Sequence, residues 1–268
     1  MSLEQATKTD PGSVDQELES AWAHYRSDRL DEAKAILSQF WRRSLSEVLP
    51  SEKHGDALQL YGLVLHDLGQ VEESIKVFHR AELATALTDV SQIALASCFA
   101  ASGQHRQARE LYLRLALSRR LPPPLMLEVA SGLDVVGASS LAMEVCQRTL
   151  NADPTVAQAH YDLGFYSARS GQPLYLTEAS IHRAIALAPE NTQFRIGLAN
   201  VLIQMNREGE AMAALEQVSS ADLAQVDDES CLRRIAELLD RSAASVRADA
   251  FRRRANQIQR KANLGEKA

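Results

Sequence analysis

The side chains best suited to metal or nucleophilic chemistry are seven histidines and three cysteines. His24, His54, His66, His79, His105, His160 and His182 show no ligand spacing, and no HExxH occurs. Cys98, Cys146 and Cys231 are odd in number and form no CxxC pair, which argues against a disulfide framework or a zinc cluster. They read as reduced thiols, Cys146 as a small core residue. His66-Asp67 could be one half of a metal or acid–base site, but the simpler reading is two polar residues on a helix. No GxGxxG follows a strand, and neither GxxxxGK[ST] nor GxSxG is present. Catalysis needs convergent groups in a pocket. None is signalled, so neither a catalytic residue, a metal nor a cofactor is expected.

The elements that would position any site are legible from composition and repetition. Hydrophobic residues make up 46 % of 268 and aromatics 5 %, a mix that favours helix over sheet. Gly69, Gly103, Gly137 and Gly171 are each 34 residues apart. Similar phrases follow three of them: Gly69-Gln70-Val71-Glu72-Glu73-Ser74, Gly103-Gln104-His105-Arg106-Gln107-Ala108 and Gly137-Ala138-Ser139-Ser140-Leu141-Ala142. Equal spacing with matched flanks is the mark of a stacked repeat.

With the glycine at unit position 15, further positions align. Tyr61-Gly62, Leu95-Ala96, Val129-Ala130, Leu163-Gly164 and Leu198-Ala199 occupy positions 7 and 8. Small residues stand near 20 and 27, Phe78, Tyr112 and Cys146 at 24, and prolines close units at Pro154 and Pro189. A small residue at 8 lets the helices of a unit approach. The residue at 15 needs a left-handed backbone, which Gly supplies and Asn206 tolerates. This pattern resembles the tetratricopeptide-repeat (TPR) family. The resemblance implies an all-α, right-handed α-solenoid of about six helix pairs with C-terminal capping helices. The expected boundaries are a disordered segment over 1–14, the array over 15–223, and capping helices with a basic tail over 224–268. The first unit departs from the pattern with about seven extra residues, expected to extend its second helix through Phe40-Trp41-Arg42-Arg43. The fifth carries one extra residue near Gln172–Tyr175.

Net charge is −6, with no general basic footprint for nucleic acid. The polar start of the chain lacks the apolar core of a signal peptide, and no 18-residue apolar run occurs. A cytoplasmic protein with no membrane contact is expected. Residues 224–268 hold ten Lys or Arg and seven Asp or Glu. Arg252-Arg253-Arg254 and Arg260-Lys261 could meet nucleic acid, but charge runs on helices ordinarily face solvent, so nucleic acid is not expected.

In the TPR family the first helix of each unit lines a concave groove. Unit positions 2, 5, 9 and 12 or 13 share one stripe of that helix. The resemblance therefore implies ligand-binding residues Trp22, Tyr25, Leu63, Ile93, Ser97, Leu127, Ser131, Tyr161, Phe165 and Asn200. Gln59, His66, Asp67, Val90, Val135 and Arg169 lie on the same stripes. The side chains at positions 5 and 9 do not suit the class that grips chaperone C-terminal carboxylates. An apolar peptide or helix from a protein partner is expected, with Asn200 hydrogen-bonding ligand backbone. A regulatory or substrate-recruiting module of an enzyme, of glycosyltransferase or hydroxylase type, is the alternative. Self-association through Phe40 and Trp41 is a further expectation.

Overall fold

The computed structural model describes residues 11–46, 52–118 and 121–265. Among them every long element is an α-helix and no strand occurs. They fall into two compact units, Met1–Ala138 and Ser139–Ala268. The first holds α1 (Pro11–Arg26), α2 (Leu30–Ser46), α3 (Glu52–Asp67), α4 (Val71–Glu82), α5 (Asp89–Ala101), α6 (His105–Leu117) and α7 (Pro123–Val135). The second holds α8 (Ser139–Ala152), α9 (Ala157–Arg169), α10 (Leu174–Leu187), α11 (Thr192–Gln204), α12 (Glu208–Leu215), a 3-10 turn (Asp222–Gln225), α13 (Glu229–Arg241) and α14 (Ser245–Gly265). Helix α1 begins inside the segment expected to be disordered; the rest of that segment, 1–10, lies outside the described residues.

One turn is used throughout. At Gly69 the backbone N–H bonds to His66 O at 2.9 Å, and the next N–H, of Gln70, bonds to Leu65 O at 2.8 Å. The same two bonds recur at Asp28, Gly103, Gly137, Gly171, Asn206 and Ala243. All of these residues have positive φ. This is the Schellman ending, which satisfies helix carbonyls that would otherwise lack donors. The glycines at 69, 103, 137 and 171 have open space where a Cβ would lie, so φ and not crowding selects them.

Close approach between helices has a different signature. A Cβ on Gly62 would meet the Phe78 ring at 2.5 Å, and one on Gly164 would meet Thr177 O at 3.0 Å. The small polar residues opposite these glycines return a hydrogen bond. Ser74 Oγ donates to Gly62 O at 2.8 Å, and Thr177 Oγ1 donates to Gly164 O at 3.1 Å. Both hydroxyls are buried, where an unpaired one would be costly.

Each unit has its own core. Leu58, Leu60, Leu65, Phe78 and Leu133 are fully buried in the first, and Phe194, Leu215, Leu232, Ile235 and Leu238 in the second. Helix starts are locally specified: Thr88, Asn191 and Asp228 accept backbone N–H bonds at the starts of α5, α11 and α13. Helix α2 does run long, through Phe40 and Trp41. Phe40 is fully buried, edge-on to His54, and Trp41 is half-buried. Phe40 is therefore not open to the self-association expected of it, whereas Trp41 keeps part of its surface exposed. Among the described residues no helix is long and apolar enough to cross a membrane.

Candidate binding grooves

First helices of successive pairs lie side by side within each unit, and their facing stripes leave an open groove. In the first unit it measures about 560 Å³. Helix α1 contributes Tyr25, α3 contributes Leu63, His66 and Asp67, and α5 contributes Val90, Ile93, Ala94 and Ser97. Helix α7 contributes Glu128, Ser131 and Val135. Leu63 and Ile93 are each only 7 % exposed and form the floor, whereas Val90 and Val135 are 44 % and 66 % exposed on the walls.

The rim is acidic and ordered. Tyr25 Oη donates to Asp67 Oδ2 at 2.8 Å, and His66 Nδ1 lies 2.8 Å from Asp67 Oδ1. Burial and the bond to Asp67 push the Tyr25 phenol up, so it stays a neutral donor. Beneath them Tyr112, pushed up to about 12 by burial, fills the space that Gly132 leaves. Asp67 and Glu128 are the ionisable carboxylates of the lining, and no Lys or Arg lies among the lining residues.

The second unit's groove measures about 500 Å³ and is framed by α9, α11 and α13. Tyr161 stacks on Phe194, ring centres 5.0 Å apart, and its ring lies over Gly197. Phe165 is 40 % exposed, with the Arg169 guanidinium 5.7 Å from its ring centre. Beside them is Asp162, whose carboxyl is raised to about 6 by burial, against a smaller lowering effect of the hydrogen bond from Gln158 Nε2 at 2.7 Å. On α13, Arg234 donates to Asn200 Oδ1.

The ten residues expected to bind thus divide. Tyr25, Leu63, Ile93, Ser97 and Ser131 meet in the first groove, and Tyr161, Phe165 and Asn200 in the second. Trp22 and Leu127 line neither. Trp22 packs edge-on to Tyr25 with Arg26 over its ring, and Leu127 is half-buried. Asn200 Oδ1 already accepts from Arg234, while its Nδ2 keeps two donors. Gln59 faces inward: its Oε1 accepts from Thr88 N at 2.8 Å and its Nε2 donates to Ala86 O at 3.3 Å, pinning the α4–α5 loop.

Sequence reasoning missed Asp162, Glu128, Ala94 and Gly197. All four occupy unit position 6, beside the expected position 5. The groove stripe is one residue wider than the expected one, because a helix covers about 100° per residue and positions 2, 6, 9 and 13 share a face. An acidic residue at this position in two units was a signal available in the sequence.

The thiols are structural. Cys98, Cys146 and Cys231 are buried and free, and burial raises all three, Cys231 to about 12. Among the described residues no cluster of three His, Cys, Asp or Glu could hold a metal. Two arginines of α14 are paired with carboxylates. Arg252 pairs with Asp240 and, at 2.7 Å, with Asp249; Arg254 pairs with Asp227 at 2.7 Å and donates to Val226 O at 2.9 Å.

Residues 178–227 match the family model described as tetratricopeptide repeat. None of the curated proteins compared with the chain matches it. Among solved structures, a tetratricopeptide repeat protein from Parabacteroides merdae is similar over 92 % of this chain and 93 % of its own, with 14 % identity and a TM-score of 0.69. PilF of Pseudomonas aeruginosa is similar over 74 % and 88 %, with 16 % identity and a TM-score of 0.56. MamA from Desulfovibrio magneticus RS-1 is similar over 64 % and 96 %, with 17 % identity and a TM-score of 0.51. At these identities the likeness concerns the fold.

Proposed function

We propose that this tetratricopeptide-repeat protein is a protein-binding scaffold, and that the groove of its first unit receives an apolar peptide or helix from a partner. One observation carries the reading: first helices of successive pairs converge on a groove with a buried aliphatic floor and exposed valine walls. Burying Val90 and Val135 against an apolar side chain is favourable by about 25 cal/mol per Å² of apolar area removed from water. The order already present favours binding too. Tyr25, Asp67 and His66 hold one another, so little side-chain freedom is lost on contact.

The test is paired capture from source-cell lysate by the wild-type chain and by a Val90→Arg, Val135→Arg variant. Both substituted positions are exposed, so circular dichroism is expected to show equal helicity. A protein retained by wild type and lost by the variant supports the reading. Equal capture by both contradicts it.

A further inference from the structure

Three carboxylates line the second groove, and two of them have a structural role. Asp227 pairs with Arg254, and Asp228 caps α13 by accepting from Cys231 N at 2.9 Å. Arg234 is held by Asn200, and Arg169 covers the Phe165 ring. Asp162 has no cationic partner among the described residues. Its single hydrogen bond comes from Gln158, one turn earlier on its own helix. It is half-buried and opens into a groove with an exposed aromatic face beside it. A carboxylate withdrawn from water without a counter-charge is unfavourable for the free protein. A bound cation would reverse that, because the same partial burial strengthens a charge pair.

We infer that the second unit's groove is a separate docking site for a protein segment carrying one isolated Lys or Arg next to an aliphatic residue, the basic group pairing with Asp162. The methylene stem of such a side chain suits Phe165, and the aliphatic neighbour suits Ile196 and Val226. The restriction to one basic residue follows from Arg169 and Arg234, which share the groove and repel a polybasic run. The inference goes beyond the first groove's role and does not depend on it.

The experiment uses the full chain carrying Val90→Arg and Val135→Arg, so that the first groove is blocked. A random 12-residue peptide library displayed on phage is selected against it. Enriched peptides are expected to share a single Lys or Arg adjacent to Leu, Ile or Val. The best of them, labelled for fluorescence anisotropy, should bind the Asp162→Asn chain at least ten-fold more weakly. Replacing its basic residue by Ala should cost as much, and combining the two changes should cost little more. The Asp162→Asn chain is expected to be folded by circular dichroism and at least as stable. Failure to enrich any peptide, enrichment with no basic preference, or equal binding by Asp162→Asn would each overturn the inference. None of these outcomes bears on the first groove.

Discussion

At the residue scale the informative group is Asp162. Burial raises its folded-state carboxyl to about 6 from an ordinary 3.8. A carboxyl raised on folding binds more protons in the native state than in the unfolded one between these values. Stability therefore falls as pH rises from about 4 to about 6, and the loss persists above. Asp162→Asn should raise the unfolding free energy at pH 7.5 by about 2 kcal/mol, given roughly 1.4 kcal/mol per pKa unit and a residual cost for the amide. The gain should vanish at pH 3.5, where both chains are neutral at this position. Urea unfolding at the two pH values checks it, and a variant less stable at pH 7.5 would contradict the stated burial. A residue that weakens the fold while facing a groove is the pattern expected of a functional group. It escaped the sequence reading because the expected stripe took Tyr161 at position 5 and not its neighbour at position 6. Asn200 lies in the groove with its oxygen already accepting from Arg234 of α13, a contact that the register alone does not reveal.

At the element scale, turns were the most legible feature and the last helix pair the least. The 34-residue glycine spacing located the turns at Gly69, Gly103, Gly137 and Gly171, because φ near +75° there selects glycine. Ala243 makes the same turn with φ 56°, and alanine gives no sequence signal for it. Helices α13 and α14 thus form one more pair joined by the same turn. Ala243→Gly should stabilise the protein by about 1 kcal/mol by relieving a left-handed backbone at a non-glycine residue. Thermal unfolding measures this, and an unchanged or lower Tm would contradict it. Helix α14 covers the second core through Ala248, Phe251 and Ala255. Phe251→Ala should lower the unfolding free energy by about 3–4 kcal/mol. A loss below 1 kcal/mol in urea titration would show that α14 does not close this core.

At the scale of the whole molecule, what the sequence carries is a fold and the face of each helix, and what it does not carry is the contents of a groove. Repetition specifies the helix pairs because each can bury its apolar face only against neighbours. Groove chemistry varies independently of that demand. Asp67, Ser97 and Ser131 were located by register, but the facing of Asp67 and Glu128 across one groove emerges only when α3 and α7 are seen together. On the proposed function, partners enter the first groove. The most direct test places a photo-crosslinking amino acid at Ser131, within the groove, and at Arg106, an exposed residue of α6 outside it. Illumination in source-cell lysate is expected to join a protein of defined mass to the Ser131 position and not to the Arg106 position. Crosslinks at Arg106 alone, or equal patterns at both positions, would contradict the claim.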